Sequence, residues 1–404
     1  MEKSFFKNIF FLVCCCLTLV GCTDPYALQT NNFESALVVE GTVTNELKTQ
    51  EIRITRTFRL EETKAAVESD AVVYVTDSDG VEYEFVENGE KYTSVEPFQA
   101  LAGKSYRLTI ITREGKTYRS TPETLTTVNP IQELKAAVVT NSQGERGVEI
   151  RTNSFDPNNT SKYYRYEYEE TYKIIAPTWS EFSLVLVPPP TPGPPSTYGV
   201  TIVPRENLDT KICYSTKKSD DIILTSTNEL SEDRVDFPVR FISDQSYIIS
   251  HRYSILVRQY VQNLAAYTFY KTLKEVSSSG GNILSQNQPG FFYGNLKSVD
   301  NPDEKIIGFF EVASVSSKRI FFNYADLFPG EDLPPYVVEC GTSTYLFCFG
   351  PGNPQCRGAA VVSGLQTQSL IYVSGDEPSY VMSAAPCGDC TLFSSNVIPP
   401  FWED

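Results

Sequence analysis

The sequence predicts a mainly β protein, a β-sandwich followed by a larger β-rich domain, and three observations carry that prediction. From Ala36 to about Val128 apolar and polar residues alternate with period two, the spacing of a half-buried strand. Glycine-containing turns recur between these runs, as in a sandwich of short strands. Aromatic residues make up 12% of the chain and methionines number only two, which with many Val, Ile, Thr and Tyr favours strands over helices. At 404 residues the chain has room for two or three domains of roughly 150 residues each.

The first element is a leader. Lys3 and Lys7 form a short basic region before the apolar run Ile9 to Val20, too short for a membrane span but long enough for a signal-peptide core. The run ends in Leu19-Val20-Gly21-Cys22, which resembles the bacterial lipoprotein box. Residues 1–21 are therefore expected to be removed and the Cys22 thiol to carry the lipid, palmitate included. Two or more acyl chains hold a protein on its membrane stably. The stretch 23–33, TDPYALQTNNF, is polar and reads as part of a short tether over 22–35. Removal of Glu2, Lys3 and Lys7 takes away a net +1, so the formal charge of −16 becomes −17.

The sandwich occupies 36–128. Ile52 and Ile54 alternate with Arg53 and Thr55, and Tyr106, Leu108 and Ile110 alternate with Arg107 and Thr109. Asp77-Ser78-Asp79-Gly80 joins the strand Val72–Thr76 to Val81–Val86, and Arg113-Glu114-Gly115-Lys116 joins Tyr106–Thr112 to Thr117–Ser120. The first turn has a calcium-loop look, but its next ligand position is the apolar Val81, so it reads as a hairpin.

Thr127-Val128-Asn129-Pro130 marks the junction with the domain spanning 129–404. Its expected strands are Leu134–Thr140, Val148–Thr152, Tyr163–Tyr172, Ile222–Ser226, Tyr247–Gln259, and the pair Ile307–Ser314 and Lys318–Asn323. In Tyr164-Arg165-Tyr166-Glu167-Tyr168-Glu169 an aromatic face alternates with a charged one; aromatic stripes can bind sugars or peptides, but sheet-core packing is the commoner reason. Residues 187–195, VPPPTPGPP, form an exposed polyproline loop, and Pro188, Pro189, Pro190, Pro192, Pro194 and Pro195 are candidates for partner binding, being already stiff. The aromatic tail with Phe401 and Trp402 is a second candidate, although packing on its own domain is the better reading. One helix is expected over about 264–276, from Leu264, Tyr267, Tyr270, Leu273 and Val276, closed by Gly280-Gly281.

Composition excludes several function classes. Thirty-four Lys and Arg face 50 Asp and Glu, a balance opposed to nucleic-acid binding. The 41% hydrophobic content supplies a real core and excludes global disorder. The chain has one histidine, His251, which continues the alternation of its strand and so reads as structural rather than as a triad base. No phosphate loop, HExxH or dinucleotide fingerprint is present. Asp220-Asp221 and Asp300–Glu304 read as solvated loops rather than as a carboxylate pair for glycoside hydrolysis. The expectation is a protein without catalytic residues, metal or cofactor.

Of ten cysteines, Cys14, Cys15 and Cys16 leave with the leader and Cys22 is acylated. Cys213, Cys340, Cys348, Cys356, Cys387 and Cys390 remain, an even set that in an exported protein reads as up to three disulfides. Cys387-Gly388-Asp389-Cys390 is a CxxC, but it sits in a Pro- and Gly-flanked tail, whereas a redox motif should open a helix after a strand.

Several stretches together resemble a known family: ALVVEGTVTNE after the lipobox, GKSYRLTIITREGKTYRSTPETL, QYVQNLAAYTFYKTLKE, NPDEKIIGFFEVASVSSKRIFF, and a tail with CGDC and PPFW. They are similar to the Bacteroidota lipoproteins of the domain-of-unknown-function family forty-two forty-nine, over nearly all of the mature chain. The resemblance implies an immunoglobulin-like or carboxypeptidase-regulatory-like first domain, a second β-rich domain and a lipid-anchored outer-membrane location. Genes of that family commonly lie beside TonB-dependent receptors, and no catalytic residues are assigned to it. The Pro-rich loop and the Cys348/Cys356 pair look like local additions. The expected function is that of an accessory lipoprotein of an outer-membrane β-barrel, either a TonB-dependent transporter or a barrel-assembly complex, at the cell surface or the periplasmic face. The alternative is a stand-alone surface protein that binds or hydrolyses glycan or peptide.

Overall fold

A computed structural model describes residues 35–58, 65–278, 293–350 and 352–404. The leader, Cys22, most of the tether and the glycine stop at Gly280-Gly281 lie outside the described residues.

The first unit contains β1 (Leu37–Thr44), β2 (Glu51–Arg56), β3 (Val72–Asp77), β4 (Glu82–Asn88), β5 (Lys91–Ser94), β6 (Ser105–Ile111), β7 (Thr117–Ser120) and β8 (Glu123–Thr124). The two expected hairpins are present. In the first, Val81 carbonyl oxygen accepts from Asp77 N at 2.9 Å and Gly80 adopts φ +83°, a left-handed conformation that glycine reaches without a Cβ penalty. Lys104 Nζ reaches Asp77 at 2.7 Å and Asp79 at 2.8 Å, so an ammonium stands between the carboxylates of the calcium-like turn. The alternating Ile52, Ile54, Tyr106, Leu108 and Ile110 are all buried in one cluster.

The second unit is built on β9 (Glu133–Thr140), β10 (Arg146–Asp156), β11 (Tyr163–Ile175), β12 (Phe182–Val187), β13 (Gly199–Pro204), β14 (Ile212–Lys218), β15 (Ile223–Ser226), β16 (Asp233–Ser243), β17 (Arg252–Gln262), helix α1 (Leu264–Ser278) and β19 (Ile306–Asn323), while β18 (Leu296–Ser298), between α1 and β19 in sequence, returns to pair with β7 of the first unit. A C-terminal segment adds a short helical turn α2 (Tyr324–Leu327), β20 (Thr342–Leu346), helix α3 (Gly358–Gln366), β21 (Leu370–Asp376), β22 (Ser379–Ala384) and the turn α4 (Ala385–Gly388). α3 is a helix that the sequence reading does not contain.

The strand that organises the molecule is β19. Ile307–Ser314 and Lys318–Asn323, expected as two strands, are one continuous strand of 18 residues. The serine-rich centre Ser314-Val315-Ser316-Ser317 holds no Gly or Pro to turn the chain. The first half of β19 pairs in parallel with β1, and the second half pairs antiparallel with β17. Gly308 permits the first pairing, since a Cβ there would lie 2.0 Å from Val39 carbonyl oxygen. The sheet therefore runs β14-β11-β17-β19-β1-β2 without a break. Leu296, Ile306, Phe310 and Val312, all distant in sequence, complete the core of the first unit.

Two further expectations are corrected. Tyr247–Ile249 is a short helical turn and β17 begins at Arg252, so His251 precedes the strand rather than lying within it. Burial, reinforced by Lys173, keeps the His251 pKa below its ordinary value. In α1 the inner face is Ala266 and Phe269, joined by Tyr270 and Leu273, while Leu264 faces solvent. The true stripe follows the 3.6-residue repeat, not an even three-residue step.

The β10–β11 turn rests on Asp156. Its carboxylate accepts from Asn158 N, Thr160 N, Thr160 Oγ1 and Ser161 N at 2.8–3.0 Å. Burial raises the carboxyl pKa, but these bonds outweigh it and hold the group at about 2. A depression from 3.8 is worth about 2 kcal/mol. Because the folded pKa is the lower one, this stability is present above the unfolded value and lost as pH falls through the folded value. In urea denaturation, Asp156→Ala should cost about 2 kcal/mol at neutral pH, and the deficit should shrink between pH 4 and pH 2.

Candidate binding cleft and docking arm

At the junction of the two units the open sheet face of β11, β17, β19 and β1 floors a cleft of about 1160 Å³, with α1 along one side. The aromatic face of the Tyr164–Glu169 stripe packs into the core as expected, Tyr168 lying against it. Tyr164 and Tyr166 are core, with Tyr166 stacked on Phe237 at 5.5 Å. Arg165 and Glu167, on the opposite face, line the cleft.

Arg165 is 7% exposed. Its Nη2 donates to Glu311 Oε1 at 2.5 Å, and its Nη1 donates to Glu167. Glu311, 2% exposed, also accepts from Thr42 Oγ1 at 2.9 Å and Gln262 Nε2 at 2.8 Å. One carboxylate thus gathers groups from β1, β17 and β11, across the junction. Tyr260 and Tyr270 place their rings 4.3 and 4.8 Å from the guanidinium carbon, within cation–π range. Burial opposes the charged form of Arg165, yet Glu311 and its other neighbours hold the pKa well above normal. The guanidinium Nε is buried and, among the described residues, nothing accepts from it.

Helix α1 delivers Tyr270 because Asn263 caps it. Asn263 Oδ1 accepts from Ala266 N at 2.8 Å, and its Nδ2 donates to Glu123 Oε2 at 2.7 Å. Such a cap satisfies one of the unpaired N–H groups at a helix start. Phe269 then packs on Phe309 at 5.6 Å. Around the rim, Lys91–Glu51, Arg258–Glu46 and Arg319–Glu169 pair at 2.5, 3.6 and 3.4 Å. Glu40, Asp220, Asp221 and Lys218 also line the cleft and form none of these pairs. Asp220-Asp221 is exposed, as expected, but belongs to this rim. Asp300–Glu304 is an exposed loop, as expected, with only Glu304 partly covered; Tyr118 OH donates to Glu304 at 2.8 Å and Thr117 N to Asp300 at 2.8 Å, tying that loop to β7.

Cys213 bonds Cys390, Cys340 bonds Cys387 and Cys348 bonds Cys356. The CxxC cysteines are therefore not paired with each other. They join α4 and the tail to β14 on one side and to the 340 loop on the other. Among the described residues no group of three or more His, Cys, Asp and Glu is arranged to hold a metal ion. No described helix is long and apolar enough to cross a membrane.

The polyproline stretch is the tip of an arm, the β12–β13 hairpin. Leu184 is buried with Val361, Tyr372, Tyr380 and Met382, and Val200 and Ile202 pack beside it. The alternate positions Val185 and Val187 face solvent, as does Phe182 at the arm's root. Pro188, Pro190, Pro192, Pro194 and Pro195 are exposed and Pro189 is partly so. Thr197 Oγ1 donates to Pro194 carbonyl oxygen at 2.7 Å, closing the tip. The aromatic tail does pack inward. Trp402 lies edge-on to Tyr214 and Phe321 at 5.0 and 5.8 Å, and the Arg319 guanidinium covers Phe401 at 3.5 Å.

Sequence reasoning missed Arg165 and Glu311 as a pair. No local signal marked them: β11 carries five charged residues and β19 three, so neither Arg165 nor Glu311 stands out in its own strand.

A mainly β protein in two units, sharing one strand and enclosing a side-chain-lined cleft between them, is the class that this geometry defines. The chain belongs to the family described as Domain of unknown function (DUF4249), whose model matches residues 23–319 and so ends within β19. No curated protein matches. Among solved structures, a pullulanase from Anoxybacillus sp. LM18-11, complexed with maltotriose, aligns at 13% identity and TM-score 0.14, over 55% of this chain and 24% of its own. The chain spans about a quarter of that protein, and the likeness carries no argument.

Proposed function

We propose that the protein is a non-enzymatic outer-membrane lipoprotein, anchored through Cys22, that serves as an accessory subunit of an outer-membrane β-barrel such as a TonB-dependent transporter or a barrel-assembly complex. The observation that supports this most is the arm. Its inner face is fixed in an apolar core, its outer face leaves Val185 and Val187 uncovered, and its tip is stiff polyproline. A pre-ordered loop loses little entropy on docking, and exposed apolar groups beside it supply the burial that a lasting contact needs. The lipobox and the match to the family are in keeping with this reading. The alternative, a stand-alone surface protein acting on glycan or peptide, draws its support from the cleft.

Two variants test the proposal. Cys22→Ala should release the protein from membranes, and fractionation with membranes like wild type would place the anchor elsewhere. The mature lipoprotein, solubilised in mild detergent and affinity-purified, should bring down an outer-membrane barrel identified by mass spectrometry. Deleting residues 188–195 should reduce that recovery while leaving the melting temperature within about 2 °C, because the loop carries no core.

A further inference from the structure

We propose that the second unit encloses a calcium ion beneath the β10–β11 turn, held by Asp233 and Asn129 beside the junction with the first unit. This site is separate from the cleft, and it does not rest on the accessory role. The first observation is a pair of like charges. Asp156 and Asp233 stand directly opposite each other on β10 and β16, where cross-strand Cβ atoms lie about 5 Å apart on one face of the sheet. They are 4% and 0% exposed. Every partner of the Asp156 carboxylate is a neutral group of its own turn, and every partner of Asp233 is a neutral hydroxyl. Among the described residues, then, no Lys or Arg answers either charge. Buried charges are paired or bind metals, and like charges placed opposite each other are destabilising.

The second observation is an excess of acceptors. The Tyr164 phenolic oxygen lies 2.9 Å from Asp233 Oδ1, 2.7 Å from Ser161 carbonyl oxygen and 2.8 Å from Asn129 Nδ2. Asp233 Oδ2 and Asn129 Oδ1, the far atoms of the two groups joined at that phenol, accept from nothing among the described residues. Both residues are more than nine-tenths buried, and a buried acceptor without a donor is costly. The Ser161 hydroxyl stands beside the Asp156 carboxylate and offers a further neutral oxygen. A water would satisfy the acceptors but leave both charges unanswered. An all-oxygen set with two carboxylates suits calcium, whereas magnesium keeps several waters and a monovalent ion neutralises only half the charge. Calcium–oxygen contacts of about 2.3–2.6 Å are shorter than the about 2.8 Å of a hydrogen-bonded water, so the ion needs less room than a water. The turn residues 157–160 above it are exposed, which gives a short path in. Asn129 carbonyl oxygen also accepts from Gln259 Nε2 at 2.8 Å, so an ion on Asn129 fastens the junction to the second unit.

The test uses the full mature chain, stripped of metal with EGTA and desalted. It is titrated with calcium, magnesium, sodium or potassium chloride at constant ionic strength, and followed by calorimetry and by equilibrium dialysis against radioactive calcium. The expected result is one calcium bound per chain and a melting temperature raised by at least about 4 °C at saturation. The other cations should shift it by less than about 1 °C. Asp233→Asn should abolish both the binding and the thermal response. That change also removes the like charge, so the metal-free variant should melt no lower than the metal-free wild type. Asp220→Asn with Asp221→Asn, on the exposed rim of the cleft, should bind calcium as the wild type does. Absence of saturable calcium binding to the wild type, or an equal response to magnesium or a monovalent ion, would overturn the proposal without any variant. So would binding retained in Asp233→Asn, a metal-free Asp233→Asn that melts well below the wild type, or binding lost in the rim variant. None of these outcomes bears on recovery of a barrel by the arm.

Discussion

Replacing Arg165 with methionine should destabilise the protein by about 3–5 kcal/mol, the loss expected when one member of a buried ion pair is removed. The side chains have similar length, so the cost is electrostatic rather than a cavity. Glu311 would remain 2% exposed with only the Thr42 hydroxyl and the Gln262 amide to satisfy a full negative charge. A loss of that size lowers the melting temperature by about 10 °C in a domain of this scale. The companion variant, Arg165→Met with Glu311→Gln, should recover most of the loss. The amide oxygen can still accept from Thr42 Oγ1, and its NH2 can donate to Gln262 Oε1 once that side-chain amide turns over; replacing a buried pair as a unit is often close to neutral. Calorimetry on the wild type, the single variant and the double variant forms the comparison. A single variant within about 1 kcal/mol of wild type would mean that the cluster does not hold the junction.

The second large effect concerns the disulfides, ranked by the loop each closes. Cys213–Cys390 spans 177 residues, Cys340–Cys387 spans 47 and Cys348–Cys356 spans 8. Chain-entropy reasoning assigns these about 5, about 4 and about 2.5 kcal/mol respectively. Substituting Cys213 and Cys390 together by serine should therefore cause the largest fall in chemical-denaturation midpoint. That bridge also fixes the tail whose Trp402 packs on Tyr214, so near-ultraviolet circular dichroism should change with it. Replacing Cys348 and Cys356 should have the smallest effect. A reversed order would show that local packing, not loop closure, decides the contribution of each bridge.

Local signals in the sequence were sufficient for local structure. The Asp77–Gly80 hairpin, the strand Thr117–Ser120 and helix α1 are encoded by alternation, a glycine turn and a cap within a few residues of each other. The even cysteine set announced bonding, but not which sulfur meets which, because Cys213 and Cys390 are brought together only by the sheet. Most of what shapes the cleft is of that second kind. Arg165 and Glu311 lie 146 positions apart, and nothing in the stretch around either points to the other. The unity of β19 was hidden for a related reason. Its two halves are each of ordinary strand length, and only their different partners, β1 and β17, explain why one strand continues through both units. His251 was misplaced because alternation continues through the Tyr247–Ile249 turn, where period two loses its meaning.

The proposed accessory role would place the arm against a barrel, and site-specific photocrosslinking in intact membranes tests that contact most directly. A photoreactive residue at Pro190 or Val185 should give a crosslink to an outer-membrane β-barrel, identified by mass spectrometry. The same probe at Leu47, more exposed than Val185 but on the first unit, should give none to that barrel. Barrel crosslinks that are equal from all three positions, or absent from Pro190 and Val185, would contradict docking through the arm.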